Sequence, residues 1–538
     1  MSSYYFSYLS NFVFLKTFRR LKNYGRRQEA KGKRSLIINR HKLETIEHSL
    51  FTIVKCLLEA RGAFALELVF GKGDANYQFT TPHSPLPTHY SLLTTHYSLS
   101  TEMLDLISSG LIGFWLGAAG IQPETSAAWE MLALQTSPAL VLNSVPDSIA
   151  VTTLQQYLQG LETKGISSTN QGIWIQSGPM LLGENNGRIP LPAASLTKIA
   201  TSLAALKTWK LNHRFQTLIS ATGSIQNGVL EGDLIVTGGG DPLFVWEEAI
   251  ALGNSLNQLG ISRVTGNLVV TGNFAMNYQS DPFKAGELLK QGLDSTTWTA
   301  AAKTQYSTLP PGTPKPRVAI AGTVQVAAIP HPRQILLLRH YSLPLAQILK
   351  EMNVYSNNEM AQMLGQMLGG APIVRQIAAK TAGVPDSEIL LGNTSGLGIE
   401  NQISPRAACA MFMAVQRELL PYQMSVADLF PVSGRDRRGT LELRQVPTGA
   451  VVKTGTLNEV SALAGVLPTR DRGLVWFVII NKGWQIESLR AGQDKFLQNL
   501  LQQWHASPTI PTASAPHAIG STPTPLGAAN RNEILYQG

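Results

Sequence analysis

The chain has 538 residues, 44% hydrophobic and 15% charged, enough for sizeable cores and, by length, for three or four domains. Its net charge of +9 sits almost wholly in residues 1–60, where twelve Lys/Arg face Glu29, Glu44, Glu47 and Glu59. The remainder is close to neutral, so the basic balance is no argument for a nucleic-acid partner. Two cysteines, Cys56 and Cys409, predict no structural disulfide, and ten scattered His without ligand spacing predict no metal site.

Residues 1–102 read as a doubtful basic, low-complexity leader. Thr88-His89-Tyr90-Ser91-Leu92 recurs as Thr95-His96-Tyr97-Ser98-Leu99, a short repeat with no core-forming period. Met103 is therefore read as the start of the native protein. Residues 103–145 read as an export signal or anchor plus linker, because Leu106–Ile121 is an uncharged run suited to a signal h-region. The cationic flank of a secretory signal is missing there, and a buried amphipathic helix is the alternative. A membrane contact through 104–121 goes with the anchor reading.

The folded part is expected from Pro146. Residues 150–165 have the period of a helix, with Leu154, Tyr157, Leu158 and Leu161 on one face. Gly172–Gln176 and Met180–Leu182 read as strands, and Asn185-Asn186-Gly187 as the following turn. Pro190 and Pro192 then introduce a helix that carries Ser195 and Lys198 ahead of Ile199–Leu206. Residues three apart share a helix face, so the Ser195 hydroxyl and the Lys198 amine can meet. From 214 to 335 the texture is short strands and turns, predicting a β-rich insert, with Gly238-Gly239-Gly240 as a tight turn and Ser255-Leu256-Asn257 as ordinary helix surface. Residues 343–353 and 357–368 read as helices around Ser356. Val451–Leu457, Ser461–Leu467 and Gly473–Ile480 read as an antiparallel meander, and 486–503 as a helix covering it. Residues 506–538, rich in Pro, Ser, Thr and Ala, read as a disordered tail.

Three motifs carry the chemistry. Ser195-Leu196-Thr197-Lys198 is the only Ser-x-x-Lys in the chain, and Lys453-Thr454-Gly455 is the only Lys-Ser/Thr-Gly. Between them stands Ser356-Asn357-Asn358. A lone Ser-x-x-Lys is usually a helix surface, but the three in this order are the signature of serine acyltransferases that react with penicillin.

On these residues the chain resembles the penicillin-binding protein 4 family of D-alanyl-D-alanine carboxypeptidases/endopeptidases (serine peptidase group S13). Gly232-Asp233-Leu234, Gly238–Pro242, Asn393–Leu397, Ser404-Pro405-Arg406, Pro431–Gly434 and Lys453–Thr456 leading into Ser461–Gly465 strengthen the resemblance, which spans about 146–505. It implies an α/β (α+β) protein with the penicillin-recognising serine transpeptidase/β-lactamase-like fold, an antiparallel sheet flanked by helices. The catalytic domain is then split into 146–213 and 336–505 around the insert at 214–335. Ser356 follows Lys198 by 158 positions, a shorter gap than in the better-known members, so one insert domain is reduced or missing. Asn357 stands where the family often has Asp.

The resemblance implies a cell-wall remodelling hydrolase, exported to the periplasm or cell envelope of a bacterium. Its substrate would be a peptidoglycan stem peptide, its inhibitors β-lactams, and it would need no cofactor and no nucleic acid. Ser195 would attack the carbonyl of the penultimate D-Ala with Lys198 as general base. Ser356 would relay a proton to the leaving nitrogen, and Asn358 would hold Lys198. Lys453 would add a second positive charge that lowers the Lys198 pKa and attracts the terminal carboxylate, with Thr454 and Thr456 binding that carboxylate beside Gly455. The backbone N–H groups of Ser195 and Thr456 would form the oxyanion hole. Two alternatives stay open: a serine β-lactamase, and a penicillin-binding sensor or scaffold without turnover. Against the first, Glu388–Asn393 places its Asn one position late for a class A deacylating segment.

Overall fold

The computed structural model describes residues 141, 146–508, 515 and 524–536. The leader at 1–102, the run at 104–121 and, but for Val141, the linker to 145 lie outside them. Among the described residues no helix is long and apolar enough to cross a membrane.

A five-stranded antiparallel sheet organises the catalytic part, in the order Val451–Leu457, Val460–Thr469, Gly473–Lys482, Gln171–Ser177, Met180–Asn185. The early hairpin joins the late meander directly, with Trp174 opposite Val478 and Gln171 opposite Asn481. Side chains alternate between two cores, as a strand's period of two requires. Ile173, Ile175, Phe477 and Ile479 face Ala150, Leu154, Phe496, Leu497 and Leu500 on the helices Ser148–Glu162 and Ile486–Trp504. Trp174, Trp476, Val478 and Ile480 face the opposite core, built on the helices Thr197–Thr208, Ala371–Ala382 and Pro405–Leu419. With both faces covered, Val460–Thr469 is buried at every position, which explains its near-continuous apolar sequence.

The Thr197–Thr208 helix is buried on all sides from Thr197 to Ala205. Its polar side chains are satisfied inside: Thr201 Oγ1 donates to Thr394 O at 2.6 Å, and Ser202 Oγ accepts from Asn353 Nδ2 at 3.0 Å. Lys198 thus rides on a stretch of helix that has no solvent face.

The insert holds the expected short strands and, between them, helices that the sequence reading did not place. Its six-stranded sheet runs Val324–Val326, Leu268–Asn273, Leu234–Gly239, Gln216–Ala221, Ile335–Tyr341, Asn532–Ile534, and the first three strands are parallel neighbours. Parallel pairs need crossovers, and the helices Trp246–Gln258 and Pro282–Leu293 supply them. A smaller four-stranded sheet and the helix Ala300–Tyr306 complete it. Its last long strand pairs antiparallel with its first, Tyr341 opposite Gln216, so the insert extends past 335 to 341. Gly238 and Gly239 end a strand, leaving Gly240 with its φ of +91° to make the turn. Ser255 is buried and accepts from Asn532 Nδ2 at 3.0 Å, so it is not helix surface.

That last contact corrects the reading of 506–538 as a disordered tail. Residues 532–534 add an edge strand to the insert sheet, Leu338 opposite Ile534, and Arg531 is buried against Glu248. Composition suggested disorder because the anchoring residues are a handful after a Pro/Ser/Thr-rich spacer.

Candidate active site

Ser195 sits one turn earlier than the sequence placed it, on a single 3-10 turn, Ala194–Leu196, that runs into the Thr197–Thr208 helix. Ala194 holds a left-handed backbone at φ +47°, an arrangement that persists only when its surroundings enforce it. Three neighbours do so. Ala193 N donates to Asn401 O at 2.9 Å. Gly396, at φ +86°, lies so close that a Cβ there would stand 1.9 Å from Ala194 O. Gly455 brings the Lys453 strand against the turn, where its Cβ would be 3.0 Å from both Ser195 N and Ala193 O. The glycine of the third motif therefore lets the strand approach the serine.

Lys198 is fully buried and its Nζ has three partners: Ser195 Oγ at 3.0 Å, Asn358 Oδ1 at 2.7 Å and Ser395 O at 2.7 Å. Burial lowers its pKa to about 7, against the opposing pull of the Glu359 carboxylate. Near neutral pH it can therefore be the free amine that a serine's proton needs.

Ser356 lies between the helices Leu345–Val354 and Asn358–Met367, again with left-handed backbone at φ +54°. Asn357 Oδ1 caps the second helix, accepting from Met360 N at 2.9 Å, a role an Asp would serve equally. That cap starts the helix at Asn358, whose side chain reaches Lys198.

Lys453, also fully buried, donates to Ser356 Oγ at 2.8 Å and to Thr454 O at 2.7 Å. Burial holds its pKa well below the ordinary lysine value, and the Lys198 charge adds to this. This revises the sequence expectation in two respects. Burial, more than the neighbouring cation, depresses Lys198. The second positive charge is not a fixed one either, and an arriving anion would stabilise it.

Thr454 Oγ1 donates to Thr440 Oγ1 at 2.8 Å, while Thr456 Oγ1 accepts from Arg490 Nη2 at 2.8 Å. Ser195, Ser356, Thr440, Thr454, Thr456 and Arg490 line one cavity of about 860 Å³ between the 439–445 loop and the Ile486–Trp504 helix.

Four participants escaped the sequence reading: the Ser395 carbonyl, Glu359, Thr440 and Arg490. Only Ser395 carried a signal, since it lies in the Asn393–Leu397 stretch. Asn393 Oδ1 accepts from Ser395 N at 3.1 Å and Gly396 N at 2.8 Å, and this tight Asx-type turn sets the carbonyl that receives Lys198.

Known proteins are similar to this chain in sequence and fold. A carboxypeptidase of Mycobacterium tuberculosis is 27% identical over 338 residues, covering 54% of this chain and 71% of that one. A D-alanyl-D-alanine carboxypeptidase of Haemophilus influenzae is 22% identical over 424 residues, covering 60% and 88%. A predatory peptidoglycan endopeptidase of Bdellovibrio bacteriovorus superposes with a TM-score of 0.55 at 20% identity, over 68% of this chain and 98% of that one, which shows a shared fold. The family model described as D-Ala-D-Ala carboxypeptidase 3 (S13) matches residues 153–287 and 315–503, more than half of the chain, and the protein therefore belongs to that family as a serine-type D-Ala-D-Ala carboxypeptidase.

Proposed function

We propose that Ser195 is the nucleophile through which this peptidase cleaves D-Ala-D-Ala termini of peptidoglycan stem peptides in the bacterial cell envelope. The observation that carries the assignment is the contact of Lys198 Nζ with Ser195 Oγ at 3.0 Å, made by an amine whose pKa is about 7. Neutral Lys198 takes the hydroxyl proton as Ser195 Oγ bonds to the penultimate D-Ala carbonyl carbon. The backbone N–H groups of Ser195 and Thr456 stabilise the oxyanion. Ser356 passes a proton to the departing D-Ala nitrogen and takes one in turn from the Lys453 ammonium that donates to it, and Thr456 holds that residue's carboxylate, joined by Thr454 once its hydroxyl turns from Thr440. Water then hydrolyses the Ser195 ester.

β-Lactams enter the same path, because their ring carbonyl presents the same electrophile beside a carboxylate. A Bdellovibrio endopeptidase of the same fold is known acylated by penicillin G. The nearest stretch to a β-lactamase deacylating segment offers no base here. Glu388 is buried, ion-paired with Arg406 and accepting from Ser404 Oγ at 2.6 Å, and so is committed to structure. This favours a peptidase with a long-lived penicillin adduct over a β-lactamase.

The test is an intact-mass time course of the full chain with benzylpenicillin, beside Ser195→Ala. A stoichiometric adduct lasting many minutes and absent from the variant supports the assignment. Rapid drug hydrolysis without a lasting adduct points to a β-lactamase, and no adduct at all refutes the assignment.

A further inference from the structure

Beyond residue 60 the charges of the chain nearly balance, yet the loop at 433–440 concentrates one sign. It holds Arg435, Arg437 and Arg438 against a single acid, Asp436. The acid faces inward, where Asp436 Oδ2 accepts from Lys350 Nζ and from Val432 N, each at 2.8 Å. All three arginines are exposed. Arg438 donates to Glu351 Oε1 at 2.7 Å and lies over the Tyr355 ring, 5.4 Å from its centroid. Among the described residues the guanidiniums of Arg435 and Arg437 have no partner.

This cationic edge is fixed and borders the mouth of the site. Lys350 ties the loop down from beneath, donating also to Ala427 O at 3.1 Å and Phe430 O at 2.6 Å. Gly439, directly after the arginines, has a left-handed φ of +68°, and a Cβ there would stand 2.3 Å from Val354 O. That close approach sets the loop beside Tyr355, the residue before Ser356. Gly439 and Thr440 line the Ser195 cavity, whereas Arg435 and Arg437 stand outside it. Guanidiniums suit carboxylates through their planar fork, and a loop already held in place loses little freedom on binding.

We propose that Arg435 and Arg437 form a docking edge outside the cavity that holds carboxylates of neighbouring stem peptides, so that the enzyme grips the polymer as well as the terminus it cuts. The assignment rests on stem peptides being the substrate of the Ser195 site. A polymer of such peptides brings an anion with each neighbour of the strand being cleaved, which matches unpaired cations beside the mouth better than a lone small substrate would.

The probe is insoluble peptidoglycan freed of phosphate polymers by hydrofluoric acid, with its carboxyls left free or converted to neutral amides. Co-sedimentation of the full chain gives dissociation constants for the wild type, Arg435→Gln/Arg437→Gln and Arg435→Lys/Arg437→Lys. Lys284→Gln/Lys303→Gln, at exposed positions of the insert, removes the same charge elsewhere. Benzylpenicillin acylation, followed by intact mass, reports the Ser195 site in each protein. The Arg-to-Gln pair should bind the free-carboxyl polymer roughly 3- to 10-fold more weakly, the scale of two exposed ion pairs. It should bind the amidated polymer as the wild type does and be acylated at the wild-type rate. The Arg-to-Lys pair should keep most of the binding, and the Lys284/Lys303 pair all of it. Undiminished binding by the Arg-to-Gln pair, an equal fall on the amidated polymer, the same fall in the Lys284/Lys303 pair or a parallel fall in acylation overturns the assignment. So does wild-type binding that requires the phosphate polymers. A wild type that is not acylated overturns the Ser195 reading and this assignment with it.

Discussion

Lys198 Nζ and Asn358 Oδ1, 160 positions apart in the chain, meet at 2.7 Å in the protein interior. The contact joins the fully buried first turns of one helix to the first residue of another, and it meets the amine with a neutral carbonyl oxygen. A neutral acceptor orients Lys198 without stabilising its charge as a carboxylate would, which lets burial bring the pKa down to about 7.

The acylation rate should therefore depend on pH in a definite direction. Lys198 is active as the free amine, so the rate rises with pH through about 7. By simple titration it should be about one tenth of its plateau a unit below the pKa and about nine tenths a unit above. Stopped-flow acylation with a fluorescent penicillin across pH 5.5–9 reads this curve. A flat profile would remove Lys198 from the role of base.

Asn358→Asp gives the complementary test. A carboxylate placed 2.7 Å from the amine favours the ammonium form and should move the midpoint of that profile upward by roughly 1–3 units. The plateau, measured at high pH, should change far less than the rate at pH 7. An unmoved midpoint would show that another group governs the profile.

The Ser195 turn should be intolerant of a single methyl group at Gly396. A Cβ there would stand 1.9 Å from Ala194 O, and the position already holds φ +86°. Gly396→Ala must push the turn away or distort it, with an expected loss of more than about 1 kcal/mol and a slower acylation. Gly160→Ala is the control, because nothing lies within 4 Å of its would-be Cβ and it sits within a helix. That substitution should be neutral or stabilise by about 0.5–1 kcal/mol. Thermal unfolding and penicillin acylation of the two variants should diverge.

Much of this architecture can be read along the chain where a local period or a rare tripeptide carries it. The meander strands after Val451 are apolar on both faces because cores lie on both sides, and the three motifs stand out by their order. What stayed hidden was set by distant partners. The crossover helices of the insert are short amphipathic stretches among strands, so the local texture reads as β. The left-handed turn at Ala194 follows from Gly396 and Gly455 crowding it, and nothing in the local Ala-Ala-Ser sequence signals it. Arg490 and Glu359 are single charged residues on helices, identical in sequence appearance to solvated ones. The edge strand at 532–534 is invisible until the edge it covers is known.

That edge strand brings with it a buried ion pair, and the pair makes the last expectation pH-dependent. Arg531 and Glu248 have side chains 4% and 1% exposed, and Gly527 N donates to the same carboxylate at 3.2 Å. Burial raises the Glu248 pKa, Arg531 opposes that rise, and two further buried groups face the pair: Asp241, raised to about 7, and His340, lowered to about 3. Removing the cation by Arg531→Met leaves a buried carboxylate uncompensated, for which about 3–5 kcal/mol is the usual cost. Glu248 then has a folded pKa further above its unfolded value. A carboxyl in that condition supports the fold below the unfolded pKa and loses its contribution as pH rises through the folded one. The deficit of Arg531→Met should therefore be larger at pH 8 than at pH 5, and adding Glu248→Gln should recover part of it at pH 8. Denaturant unfolding of the three proteins at both pH values measures this directly. An equal deficit at the two pH values, with no recovery in the double variant, would mean that the pair does not anchor the C-terminal segment.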